Sequence, residues 1–180
     1  MALPTQTSYS INFSGAFAGM LGDEPDARVE SAINGESTNL PAGILVVEDS
    51  ALAKTAKLMT AATGAGAKLL GAVVNTFFRD PGNVSAQLSG STDAYLPGVS
   101  LPLLTRGQIW LVSESAFTVN DDVYVRHTAN GGLTQKGAVT SGAGTTTGCR
   151  KLVGARVVLN STAAGVVLVE LDVNVDRAAV

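Results

Sequence analysis

Val167, Val169, Leu171, Val173 and Val175 occupy every second position near the C-terminus, and Glu170, Asp172, Asn174 and Asp176 occupy the positions between and after them. Successive side chains of a strand point to opposite faces, so this period of two predicts a strand with one buried face and one wet face. An antiparallel sheet packed on one side produces that alternation. The preceding "KLVGARVVLN", joined by "STAA", supplies a hairpin partner. Leu171 and Val169 are therefore expected in the core.

The rest of the chain agrees with strands more readily than with helices. Ile44 to Val47 is a short apolar run after "PAG", and "LLGAVVNTFF" (Leu69–Phe78) is β-like, with an interior Gly that marks a bulge or a close backbone approach. "LTRGQIWLVSESAFTVNDDVYVR" (Leu104–Arg126) reads as a strand over Ile109–Val112, a turn, and a second strand over Val123–Arg126. Asn130–Gly132 is a hairpin signal, because Asn and Gly accept positive φ. "RDPGNVSAQLSGSTDAYLPGVSLP" and "TSGAGTTTGC" read as loops, the second as a flexible one. Ala51–Ala62 is ambiguous: its residues favour helix by propensity, yet its apolar residues hold no single face. Residues 1–43 are polar and Gly-rich, with "YSINF" alternating like a lone strand and with Gly19, Gly22 and Pro25 as breakers. The expectation is a small all-β domain, sandwich- or barrel-like, with many short strands and long loops. It comprises a β-domain over 44–180 and an extended N-terminal arm over 1–43, one domain overall.

With 180 residues the chain can bury roughly 70% of its unfolded surface without staples. Hydrophobic residues make up 46% but aromatics only 5%, so the core must be built from Val, Leu, Ile and Ala. Charged residues are 15%, against about 25% on average. That shortage favours a protein that covers part of its surface in an assembly. The net charge is −3, the sequence pI is about 5.0 and no Lys/Arg cluster is visible, which argues against nucleic acid as a partner. The N-terminus has neither the basic nor the apolar region of a signal peptide, and no run reaches the ~20 apolar residues of a membrane span. Synthesis in a cytoplasm, with no membrane partner, is expected.

The search for chemistry finds residues without constellations. "GAGAKLLG" (Gly64–Gly71) has glycines, but a strand-like segment follows them where a phosphate site needs a helix N-terminus. His127 is the sole histidine. A triad would set it beside Ser113, Ser115 or Cys149, with Asp121 or Asp122 behind, and no nucleophile-elbow motif flanks those serines. One His and one Cys do not fill a zinc shell. Asp23, Glu24 and Asp26 form one acidic cluster, and Asp121 with Asp122 another. Paired carboxylates can work on glycosides or bind Ca²⁺, but both clusters sit in turn sequences where Asp belongs for local reasons. Cys149, the only cysteine, forms no intrachain disulfide and reads as a small semi-buried residue. No catalytic residue, cofactor or metal is expected.

Taken in order, "PAGILVV", "LLGAVV", "RGQIWLVSESAFTVNDDVYVR" and the closing "KLVGARVVLNSTAAGVVLVELDV" resemble the structural cement, or head-decoration, proteins of tailed bacteriophages. The core of the likeness is a strand headed by Gly107 and carrying the sole Trp, a short loop ending in Asp122, then "VYVR". The resemblance covers most of the chain, more loosely at residues 50–100. It implies a non-enzymatic β-fold, commonly a homotrimer, on the outer surface of an icosahedral capsid in the virion. There it would stabilise the shell by clamping neighbouring subunits of the major capsid protein. Tyr9, Ile11, Phe13 and Phe17 of the arm are the expected capsid-binding residues. Two other classes are a carbohydrate- or receptor-binding β-module of a phage fibre or tail, and a hydrolase using the acidic clusters. Fibre and tail modules usually display exposed aromatics, and this chain has one Trp and three Tyr.

Overall fold

A computed structural model describes residues 16–22, 27–61, 67–75, 94–133, 135–142 and 146–178. Within them lie β1 (Arg28–Asn34), β2 (Leu40–Pro41), β3 (Leu45–Glu48), β4 (Thr55–Lys57), β5 (Leu69–Val73), β6 (Ala94–Tyr95) and β7 (Ser100–Ser113). They are followed by β8 (Val123–Arg126), β9 (Val139–Ser141), β10 (Cys149–Lys151), β11 (Ala155–Val157), β12 (Gly165–Asp172) and one short helix, α1 (Val173–Ala178). The molecule is all-β and barrel-like. Ten strands form one sheet, and β2 with β6 forms a two-stranded ribbon.

The pairings close a ring. β1 pairs with β4, β4 with β3, β3 with β5, β5 with β7, and β7 back with β1. Closure removes sheet edges wherever the strands overlap. One apolar cluster belongs to this ring: Val46, Leu70, Val73, Leu101 and Leu103 pack together, joined by Leu40 and Tyr95 of the ribbon. The Tyr95 hydroxyl donates to the Val74 carbonyl at 2.7 Å, so this buried phenol is satisfied. A second cluster uses the opposite faces of the same strands, through Leu45, Leu69 and Leu104. These pack against Val123, Val125, Val167, Val169 and Leu171. β3, β5 and the first half of β7 are thus buried on both sides, which explains their unbroken apolar runs.

β7 belongs to both layers. Its first half lies between β5 and β1, and its second half pairs with β12 from Arg106 to Ser113. The handover falls at Gly107, whose φ of 120° is one that side chains rarely adopt. Gly71 of β5 has a different reason: a Cβ there would stand 2.5 Å from the Leu104 carbonyl oxygen, so the strands approach closely only because it is Gly.

The closing hairpin is β11–β12, with Val157 opposite Val169 and Ala155 opposite Leu171. Val167, Val169, Leu171 and Val173 are buried, as the alternation predicts. Val175 departs from it: the strand ends at Asp172, helix α1 follows, and Val175 is exposed. The Asp172 carboxylate accepts the Asn174 N–H at 3.0 Å, which turns the backbone out of the strand.

Other expectations are refined. Of Ala51–Ala62, the described residues 51–61 form a turn and then β4, not a helix. Asp49 and Glu48 carboxylates accept the Ala51 and Lys54 N–H groups, and Lys54 takes a positive φ of 55°, so side chains and sheet pairing override propensity. β7 begins at Ser100, within a stretch that reads as loop, and β6 lies there too. Thr140 and Ser141 are buried in β9, so the small-residue segment is not all loop. Asn130 and Leu133 bridge across the expected hairpin turn, with Gly131 at φ 60°. Residues 28–34 and 40–41, inside the stretch read as an arm, are strands of this chain's own sheets. Residues 19–22 also bond β7: Gly19 N donates to Trp110 O, Trp110 N to Met20 O and Gly22 N to Gln108 O.

Candidate functional site

The residues singled out for chemistry are held by structural partners. The Ser113 hydroxyl donates to the Ser115 carbonyl at 2.5 Å. The Ser115 hydroxyl accepts the Ser141 N–H at 2.9 Å and meets the Thr140 and Ser141 hydroxyls at 3.2 Å. These groups tie the end of β7 to β9. His127 Nδ1 contacts the Thr128 hydroxyl at 2.8 Å, so no described contact joins its ring to those serines. Asp121 accepts the Thr118 N–H at 2.7 Å within its turn, and Asp122 pairs with Lys151 at 2.7 Å. Burial pushes the Cys149 thiol above its ordinary pKa, with Arg126 opposing and Glu114 reinforcing the shift. A raised thiol pKa leaves less thiolate at neutral pH, the reverse of an activated nucleophile. Among the described residues no three His, Cys, Asp or Glu side chains gather as a metal site would require, and no helix is long and apolar enough to cross a membrane. Gly64 and Gly66, the cluster of Asp23, Glu24 and Asp26, and Tyr9, Ile11 and Phe13 lie outside the described residues.

Sequence reasoning missed one buried ion pair. Arg126 closes β8, and its side chain is fully buried. Its Nε donates to Glu114 Oε2 at 2.5 Å, and Nη1 donates to the carbonyls of Thr147 at 3.1 Å and Thr128 at 3.3 Å. Glu114 follows β7, so the pair pins the end of β7 to β8 and to the turn before β10. No local motif announces it, because the partners are twelve residues apart.

Trp110, Tyr95 and Phe117 are buried, so none of them offers a face to a sugar ring. Large apolar side chains stand exposed at Val29, Ile33, Leu52 and Val153. A shallow cleft of about 250 Å³ lies between the β11 end and α1, lined by Val153, Ala155, Arg156, Glu170, Asp172 and Val175. Arg156 and Glu170 form an ion pair within it. Phe17 is half-buried where the N-terminal stretch begins its run beside β7.

This all-β frame has buried aromatics, hydroxyls spent on packing and apolar side chains set on its outside. Those features are those of a packed structural frame. The family described as "Structural cement protein (E217 gp24/Pam3 gp6)" matches residues 5–174, and the chain belongs to that family. Its fold also matches a solved chain described as "The capsid of Myoviridae Phage XM1". That match has a TM-score of 0.63 and 16% identity, covering 86% of this chain and 89% of the other. No curated protein matches the chain by sequence.

Proposed function

We propose that the protein decorates the outer surface of an icosahedral phage capsid and clamps neighbouring major capsid subunits, without catalysis. The family match over residues 5–174 carries this reading. The shortage of charge and the exposed apolar side chains support it, since both suit a body that buries surface in an assembly.

Of the stretch 1–43 that precedes the β-domain of 44–180, the grip is assigned to the residues before Gly19, since later parts of it are strands of the body. Tyr9, Ile11, Phe13 and Phe17 supply its apolar contacts. Residues 19–22 and 28–34 bond β7, so the reach of the arm falls to the residues before them. "YSINF" adds as a strand to a capsid edge, where main-chain hydrogen bonds ask little of sequence. Deleting residues 1–15 is expected to leave the circular dichroism spectrum of the β-domain intact while lowering occupancy on expanded capsids. Equal occupancy and salt resistance in the truncated and full chains would move the grip to the β-domain.

The body is assigned as a homotrimer. Light scattering at micromolar concentration is expected to give three times the 18.3 kDa chain mass. A strict monomer in solution with no threefold density on the particle would remove this assignment.

A further inference from the structure

The ring of strands closes only at one end of β1. β7 bonds β1 from Arg28 to Ile33, but β4 reaches only Ile33 and Asn34 on the other side. Among the described residues no other strand pairs with Arg28 to Ala32 on that side, and Arg28, Val29, Glu30 and Ser31 are exposed. Exposed edges are usually blunted by like charges, above all Lys, by Pro or by bulges. "RVESAIN" has no Lys or Pro, its two charges are of opposite sign, and its bulge lies at its very start, between Arg28 and Val29. Arg28 and Glu30 pair with each other at 3.0 Å, so the edge carries no net charge, and Val29 stands 44% exposed between them.

We propose that this edge pairs antiparallel with β1 of a second copy of the chain, about a two-fold axis through Val29. In that register Arg28 faces Glu30 of the second copy, twice by symmetry, and Val29 packs on its own counterpart. The surface is self-complementary, as an isologous contact must be. Neighbouring registers lose this. Centring on Glu30 sets glutamate on glutamate, and centring on Arg28 sets arginine on arginine; like charges directly opposite destabilise a pair of strands. The bulge between Arg28 and Val29 adds twist and keeps the pairing short. So small a contact is weak between free molecules and becomes effective between copies already held side by side, where the local concentration is high. It links one decorating unit to the next and does not depend on how either grips a capsid.

The full-length chain with Cys149→Ser and Val29→Cys tests this without any capsid. Mild oxidation at high protein concentration is expected to yield a disulfide-linked dimer, because directly opposed strand positions lie within disulfide reach. Adding Glu30→Arg or Arg28→Glu singly is expected to lower the dimer yield about tenfold, by turning two attractive pairs repulsive. Adding both together, Arg28→Glu with Glu30→Arg, restores the complement and is expected to restore the yield. Leu52→Cys, 61% exposed and away from the edge, serves as the control for random collision. The proposal is overturned if folded Val29→Cys protein gives no dimer, if Leu52→Cys links equally well, or if the double reversal fails to recover what the single reversals lose.

Discussion

Replacing Arg126 with Met is expected to cost about 3–5 kcal/mol of folding stability, the usual result of removing one partner from a buried pair. Arg126 is fully buried and Glu114 nearly so. Glu114 Oε1 already lacks a hydrogen-bond partner. Without the guanidinium, the carboxylate would be left buried with its other oxygen unpaired too, and the Thr147 carbonyl would lose a donor. The double variant Arg126→Met/Glu114→Leu should recover most of the loss, since desolvating the two charges offsets much of their attraction. Urea unfolding checks both: the midpoint should fall sharply in the single variant and return in the double, with the m-value unchanged. A single variant within about 1 kcal/mol of the parent would show that water reaches the pair.

Truncating Leu171 to Ala should cost about 2–5 kcal/mol through the lost side chain and the cavity it leaves. Leu171 is fully buried, opposite Gly107 on β7 and Ala155 on β11. Small residues on both sides leave neighbours that cannot swing in to fill the space. Its chain neighbour Glu170 points to the wet face, where its ion pair with Arg156 is exposed. Glu170→Ala should therefore change stability by less than about 1 kcal/mol. Thermal unfolding of the two variants reads the facing of β12 directly, and equal melting temperatures would refute it.

The parts of the fold legible in the sequence are those where side chains alone decide. β12 was readable because a half-buried strand must alternate, and β8 because its four residues are bounded by turn chemistry. Gly71 was readable as a bulge or a close approach because an apolar run tolerates a glycine for few other reasons, and it lies at both: β3 shifts register opposite it and the Leu104 carbonyl oxygen crowds it. β1 was not, because its burial follows no period: its first four residues are exposed, and main-chain bonds to β7 hold it in place. β7 was read too short because Pro102 lies inside it. That Pro is tolerated because the β5 ladder ends at Val73 and Leu103, so no bond is asked of its missing N–H there, while its carbonyl still accepts the Val74 N–H. The Arg126–Glu114 pair needs the turn between β7 and β8 to be known in three dimensions first. Of the expected capsid-binding residues only Phe17 falls where the structure describes it, and it is half-buried just before residues 19–22 bond β7.

The passage of β7 from one layer to the other at Gly107 has a mechanical meaning. One continuous strand runs through both layers, bonded by β1 over its first half and β12 over its second, with β5 and residues 19–22 on the opposite flanks of those halves. A force pulling its two ends apart loads those flanking hydrogen bonds together, in shear, instead of peeling them one after another. The two layers are joined by covalent backbone, so they cannot slide past each other unless that strand is torn from all its neighbours. A clip fastened to two bodies that tend to separate would carry its tension along that line.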